Sequence, residues 1–133
     1  MMKVLVVENE YASLKNSFDF ANAALFNNDL QITNVEKSQD VSLDMIEQYV
    51  TIFIDISLAT KSLKDGFGII RDIIGMNDTL ASKLVILTGN NNIEEKIKEN
   101  KLEKFNIKIV YKPISYQDIA SAIRESIEYQ QTK

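Results

Sequence analysis

Five short apolar runs, each followed by a longer stretch with helical periodicity, set the tightest limit on what this chain can fold into. The runs span residues 3–7, 30–35, 51–54, 84–87 and 108–110 and are mostly β-branched and apolar. Runs of that kind suit strands covered on both faces, hence a parallel sheet. Between the first two, Leu14, Phe18, Ala21 and Leu25 recur at helical spacing without Gly or Pro, which predicts a helix with one buried stripe. A short second helix is expected over 42–49, with Leu43, Ile46 and Tyr49 inward. A third follows Asp65-Gly66, carries Phe67, Ile70, Ile73 and Ile74, and stops at Gly75. The fourth begins after Asn90-Asn91-Asn92, which offer N-caps, and covers 93–102; its charges predict a solvated face laced with i to i+4 pairs. The last opens at Ser115, with Asp118 three positions on as in a capping box, and repeats Ile119, Ile123 and Ile127.

Five β-α units in 133 residues make one domain over 1–133. A closed eight-stranded barrel typically needs about 250 residues, so the expected fold is an open, doubly wound α/β sheet of the flavodoxin-like kind. The sequence shows no repeat, linker or low-complexity segment. The first apolar run is too short for a signal peptide or a membrane span, so a cytoplasmic protein without membrane contact is expected. The net charge is −4 with lysines interleaved among acids, which leaves no basic stripe for direct nucleic-acid binding. Cysteine and histidine are both absent. That excludes disulfides, Cys or His nucleophiles, the Ser-His-Asp triad and thiolate or imidazole zinc sites. Carboxylates, amines and hydroxyls remain, a set suited to hard cations and phosphoryl groups.

Ligands of such a sheet bind beyond the carboxyl ends of the strands. The residues there are Glu8, Asn9 and Glu10, then Asp55, then Thr88-Gly89, then Lys112-Pro113. Acids gathered at one edge repel, and a divalent cation is the simplest way to keep them ionised. The layout is that of a phosphorylatable carboxylate with a metal, a point cation and a hydroxyl. A nucleotide- or flavin-binding enzyme of the same fold is disfavoured, because Glu8-Asn9-Glu10-Tyr11 stands where a Gly-rich phosphate loop would be needed.

Val4-Leu5-Val6-Val7-Glu8-Asn9-Glu10, Ile52-Phe53-Ile54-Asp55-Ile56-Ser57-Leu58, Asp65-Gly66-Phe67, Val85-Ile86-Leu87-Thr88-Gly89 and Val110-Tyr111-Lys112-Pro113-Ile114 together resemble the receiver domain of bacterial two-component response regulators. The resemblance covers essentially the whole chain and implies a five-stranded parallel sheet of order 2-1-3-4-5. It implies that Asp55 accepts a phosphoryl group from a sensor histidine kinase or phosphotransfer protein. Glu8, Asn9, Asp55 and the backbone carbonyl of Ser57 would hold Mg²⁺. Lys112 would pair with the phosphoryl oxygens, Thr88 would turn its hydroxyl toward them, and the Lys112-Pro113 bond would be cis. Ser57 and Asn90 would modulate loss of the group. A downstream protein would be met on the face of the fourth helix, fifth strand and last helix, and no separate substrate would be turned over.

The chain departs from the family pattern in three places. Asn9 stands where a second acid is usual, so Mg²⁺ affinity should fall unless Glu10 substitutes. Ile109 stands where an inward-turning aromatic is usual, with Tyr111 on the same strand face. The segment from Asp55 to Gly66 is about three residues longer than usual, with Ala59 where Pro is frequent and Lys61 and Lys64 added. Two readings follow: a stand-alone phosphoacceptor receiver, or an atypical interaction module that signals independently of phosphorylation.

Overall fold

The computed structural model describes residues 1–58 and 61–131; Ala59 lies outside the described residues. Five strands, β1 (Met2–Val7), β2 (Leu30–Val35), β3 (Tyr49–Asp55), β4 (Leu84–Thr88) and β5 (Lys108–Tyr111), form one sheet in the order β2-β1-β3-β4-β5, every pair parallel. This is the expected topology, and each predicted run lies within a strand. Four α-helices cover the faces: α1 (Lys15–Leu25), α2 (Gly66–Met76), α3 (Ile93–Glu99) and α4 (Tyr116–Gln131).

Alternation along the strands sorts the core into two layers. Leu5, Val7, Ile52, Ile54, Leu84 and Ile86 face one way and pack with Phe67, Ile70 and Ile73 of α2 and Ile93 and Ile97 of α3. Val4, Val6, Phe53, Val85, Leu87 and Val110 face the other way, onto Phe18 and Ala21 of α1 and Ile119 and Ile123 of α4. Phe18 stands edge-on to Phe53, with ring centroids 5.1 Å apart.

Several local expectations are corrected. The segment expected as a second α-helix is a 3₁₀ helix, Leu43–Gln48, and Tyr49 already belongs to β3. Leu43, Ile46 and Tyr49 are spaced by three, which matches 3.0 residues per turn better than 3.6. Strand β2 is an edge strand with Gln31 and Thr33 exposed, not covered on both faces. Helix α2 runs one residue past Gly75 to Met76, with Asn77 as its C-cap. Helix α3 ends at Glu99 rather than 102: Lys101 takes φ 59° and Leu102 returns its N–H to the Ile97 carbonyl at 3.0 Å. That reversal buries Leu102 at the cost of a non-glycine residue in the left-handed region. Asn92 makes no side-chain cap; Asn90 Oδ1 instead accepts from the Asn92 N–H. The charges of α3 close no ion pairs among the described residues. At α4 the expected cap forms, Ser115 Oγ accepting from the Asp118 N–H at 3.1 Å.

Candidate functional site

The parallel sheet brings four strand ends to one edge. Glu8 follows β1, Asp55 closes β3, Thr88 closes β4 and Lys112 follows β5. Glu8, Asp55 and Thr88 are buried, Glu8 completely, and Lys112 is half-buried. Residues 104 and 57 positions apart in sequence meet here: Lys112 Nζ lies 2.6 Å from Glu8 Oε1 and 3.4 Å from Asp55 Oδ2. Asp55 Oδ1 accepts from the Ser57 N–H at 3.0 Å. In front of the pair lies a cleft of about 390 Å³ lined by Asn9, Glu10, Asp55, Ser57, Thr88, Gly89, Asn90 and Lys112.

Backbone geometry places each of these groups. The N–H of Gly66, the first residue of α2, donates to the Ile56 carbonyl at 3.2 Å. A Cβ at Gly66 would stand 2.4 Å from the Asp55 carbonyl oxygen and 2.7 Å from Ile56 Cα, so only glycine lets α2 start this close to the acid. Asp65 caps that helix by accepting from the Gly68 N–H at 2.9 Å. The Lys112 N–H donates to the Thr88 carbonyl at 2.8 Å, and the Lys112-Pro113 peptide is cis, as the resemblance implies. The Thr88 hydroxyl accepts from the Asn90 N–H at 2.9 Å, so it is engaged in its own turn.

One ammonium serves two carboxylates. Burial, with the neighbouring Asp55 carboxyl adding to it, pushes the Glu8 carboxyl up to about 7 against the pull of Lys112. Burial pulls Lys112 down, but the hydrogen bond to Glu8 and the charge of Asp55 outweigh it and hold the ammonium above its usual range. With all three groups charged the site keeps a surplus negative charge, and the buried Glu8 Oε2 has no hydrogen-bond partner.

That orphaned oxygen and the all-oxygen donor set fit a hard divalent cation. Asn9, Asp55 and Ser57, three of the four residues expected to hold one, line the cleft, while Glu8 is fully buried beside them on Lys112. Among the described residues no group of three or more His, Cys, Asp or Glu converges. Ile109 is half-buried against the core, and Tyr111 is 47% exposed, turned away from the cleft lining.

The sequence reading missed Asn34. Its Nδ2 donates to the carbonyls of Val6 and Glu8 at 3.0 Å each, beside the β1 end. It also missed Ser38 and Gln39, which bind the segment 61–64 by side-chain hydrogen bonds. A polar residue at the end of an edge strand gives no signal by periodicity; only the parallel register that sets Asn34 against Val6 reveals the contact.

Among solved structures this chain is similar to a response regulator receiver domain protein from Clostridium thermocellum, at 20% identity and TM-score 0.74 over 99% of this chain and 98% of that one. It is similar to the receiver domain of the Francisella response regulator 1452, at 24% identity and TM-score 0.65 over 100% of both chains. The receiver domain of NtrX from Brucella abortus gives 19% identity and TM-score 0.67 over 93% of this chain and 98% of that one. No protein-family model and no curated protein matches the sequence. The fold of this chain is therefore that of the response-regulator receiver domain. Among the described residues no helix is long and apolar enough to cross a membrane.

Proposed function

We propose that this chain is a phosphoacceptor receiver domain of a two-component phosphorelay, with Asp55 as the acceptor. The observation that carries this reading is the buried Glu8-Lys112-Asp55 cluster at the carboxyl edge of a sheet with the receiver order. Such a cluster costs folding free energy and has no packing role that apolar residues would not fill better. An Asp55 carboxylate oxygen forms the new bond to phosphorus while the P–N bond of a partner's phosphohistidine breaks. The imidazole leaves with the bonding pair and regains its proton from solvent. No separate general base is needed, because the nucleophile is a carboxylate oxygen and not a hydroxyl that must be deprotonated as it attacks. Lys112, at 3.4 Å from Asp55, stands where it can neutralise a phosphoryl oxygen. The Thr88 hydroxyl accepts from the Asn90 N–H and keeps its own proton to donate to a phosphoryl oxygen, which would couple phosphorylation to the loop leading into α3.

Bound Mg²⁺ would supply charge neutralisation of the phosphoryl oxygens, with Glu8, Asn9, Asp55 and the Ser57 carbonyl as its protein ligands. The phosphodonor is a sensor histidine kinase or phosphotransfer protein, and the readout is a protein bound on the α3, β5 and α4 face. The chain turns over no separate substrate and acts in the cytoplasm. A second reading, a phosphate-independent interaction module, is favoured by one observation: among the described residues no group of three or more His, Cys, Asp or Glu is set to hold a metal ion.

Intact-mass analysis after incubation with acetyl phosphate, with and without Mg²⁺, on the wild type and Asp55→Asn separates the two. A Mg²⁺-dependent gain of one phosphoryl group, absent from the variant, is the expected result. No gain, with a phosphohistidine donor tried as well, would overturn the phosphoacceptor reading and leave the module.

A further inference from the structure

Strand β2 places no side chain in the acid cleft, yet its C-terminal end is bonded to the turn after β1, and the 3₁₀ turn beyond it, Ser38–Asp40, is bonded to residues 61–64 ahead of α2. At β1, residues 34 and 35 hold the backbone of Glu8 on both sides: its carbonyl accepts from Asn34 Nδ2 at 3.0 Å, and its N–H donates to the Val35 carbonyl at 3.0 Å. The same Nδ2 donates to the Val6 carbonyl, so the turn carrying Glu8 and Asn9 leaves the strand along a fixed path. On the other side, Ser38 and Gln39 hold residues 61–64, which lead into α2. Ser38 Oγ accepts from the Lys64 N–H at 2.9 Å, and the Ser38 N–H donates to Ser62 Oγ at 2.8 Å. Gln39 Oε1 accepts from the Leu63 N–H at 3.0 Å while its Nε2 donates to the Lys61 carbonyl at 2.9 Å. Beyond that segment, Gly66 abuts the Asp55 and Ile56 backbone.

These bonds supply to a loop what a ladder supplies to a strand. Ordering each residue costs backbone entropy, and polar groups without partners would favour other paths. An acid site needs its oxygens held within a fraction of an ångström, which supporting hydrogen bonds provide. We propose that Asn34, Ser38 and Gln39 are positioning residues of the acid cleft: Asn34 fixes the turn bearing Glu8 and Asn9, and Ser38 with Gln39 fixes residues 61–64, which lead into Gly66 against the Asp55 backbone. The consequence for phosphorylation rests on the phosphoacceptor reading; the tie itself does not.

The test uses the full chain in four forms: wild type, Asn34→Ala, the double variant Ser38→Ala/Gln39→Ala, and Ser38→Thr. Amide hydrogen exchange is read at Leu63 and Lys64, with Ile52 and Ile54 as core references, and MgCl₂ alone is titrated by calorimetry. The double variant should exchange at Leu63 and Lys64 at least about tenfold faster with the core references unchanged, while Ser38→Thr keeps Lys64 protected. Asn34→Ala should weaken Mg²⁺ about tenfold or more, and its slower labelling by acetyl phosphate should recover as Mg²⁺ is raised, the mark of lost positioning rather than lost chemistry. Unchanged exchange in the double variant, or Mg²⁺ affinity within twofold in Asn34→Ala, overturns the proposal. Should Asn34→Ala not fold, Asn34→Ser is read in the same way. If the wild type takes neither Mg²⁺ nor a phosphoryl group, the phosphoacceptor reading falls by itself and the exchange measurement still decides the tie.

Discussion

Glu8 and Asp55 share the ammonium of Lys112, and Glu8 has the less solvated position of the two acids. Its carboxyl titrates near 7 in the fold against an ordinary value of 4.5, so the folded state favours the protonated form. The stability this carries is complete below about pH 4.5 and is lost as the pH rises through 7. Glu8→Gln, which keeps an acceptor for Lys112 without the charge, is therefore expected to raise the melting temperature in metal-free buffer at pH 8 by about 4 °C or more. The difference should shrink toward pH 5. A lower melting temperature for the variant at pH 8 would contradict the assignment of burial as the dominant cause. Asn9 lies on the cleft wall with an amide where an acid would add a charge. Asn9→Asp should tighten Mg²⁺ about tenfold by calorimetry, since affinity at such sites follows the number of charged ligands; unchanged affinity would remove residue 9 from the ligand set.

Two of the three glycines of helix α2 have opposite meanings. A Cβ at Gly66 meets backbone at 2.4 Å, whereas one at Gly75 meets nothing within 4 Å. In an open helix position, Gly→Ala stabilises by about 0.5–1 kcal/mol. Gly75→Ala should gain about that much in urea unfolding. Gly66→Ala should lose about 2 kcal/mol or more and reduce labelling at Asp55, because the start of the helix must withdraw from the acid's own backbone. Equal effects at the two positions would show that the close approach at Gly66 carries no weight. The same helix shows where local reasoning ends. Gly75 reads as a stop, but burial of Ile73 and a partner for the Asn77 N–H at the Ile73 carbonyl carry the helix past it.

For the molecule as a whole, a ligand that binds only the folded state stabilises it in proportion to the logarithm of its concentration. Each tenfold rise above the dissociation constant is worth about 1.4 kcal/mol. Raising MgCl₂ from below to well above saturation should lift the melting temperature of the wild type steadily and that of Asp55→Asn much less; parallel curves would place the cation elsewhere. The five apolar runs and the polar residues ending them are local facts, so the sheet, its two covered faces and the gathering of Glu8, Asp55, Thr88 and Lys112 at one edge were legible in the order of residues. Burial of alternate side chains on a parallel sheet leaves few other solutions. The short second crossover, the early end of α3 and the edge character of β2 depended on what each segment packs against. So did the bonds of Asn34, Ser38 and Gln39. A hydrogen bond between residues 28 positions apart, such as Asn34 to the Val6 carbonyl, leaves no periodic trace along the chain, because the strand register that creates it exists only after the sheet has formed.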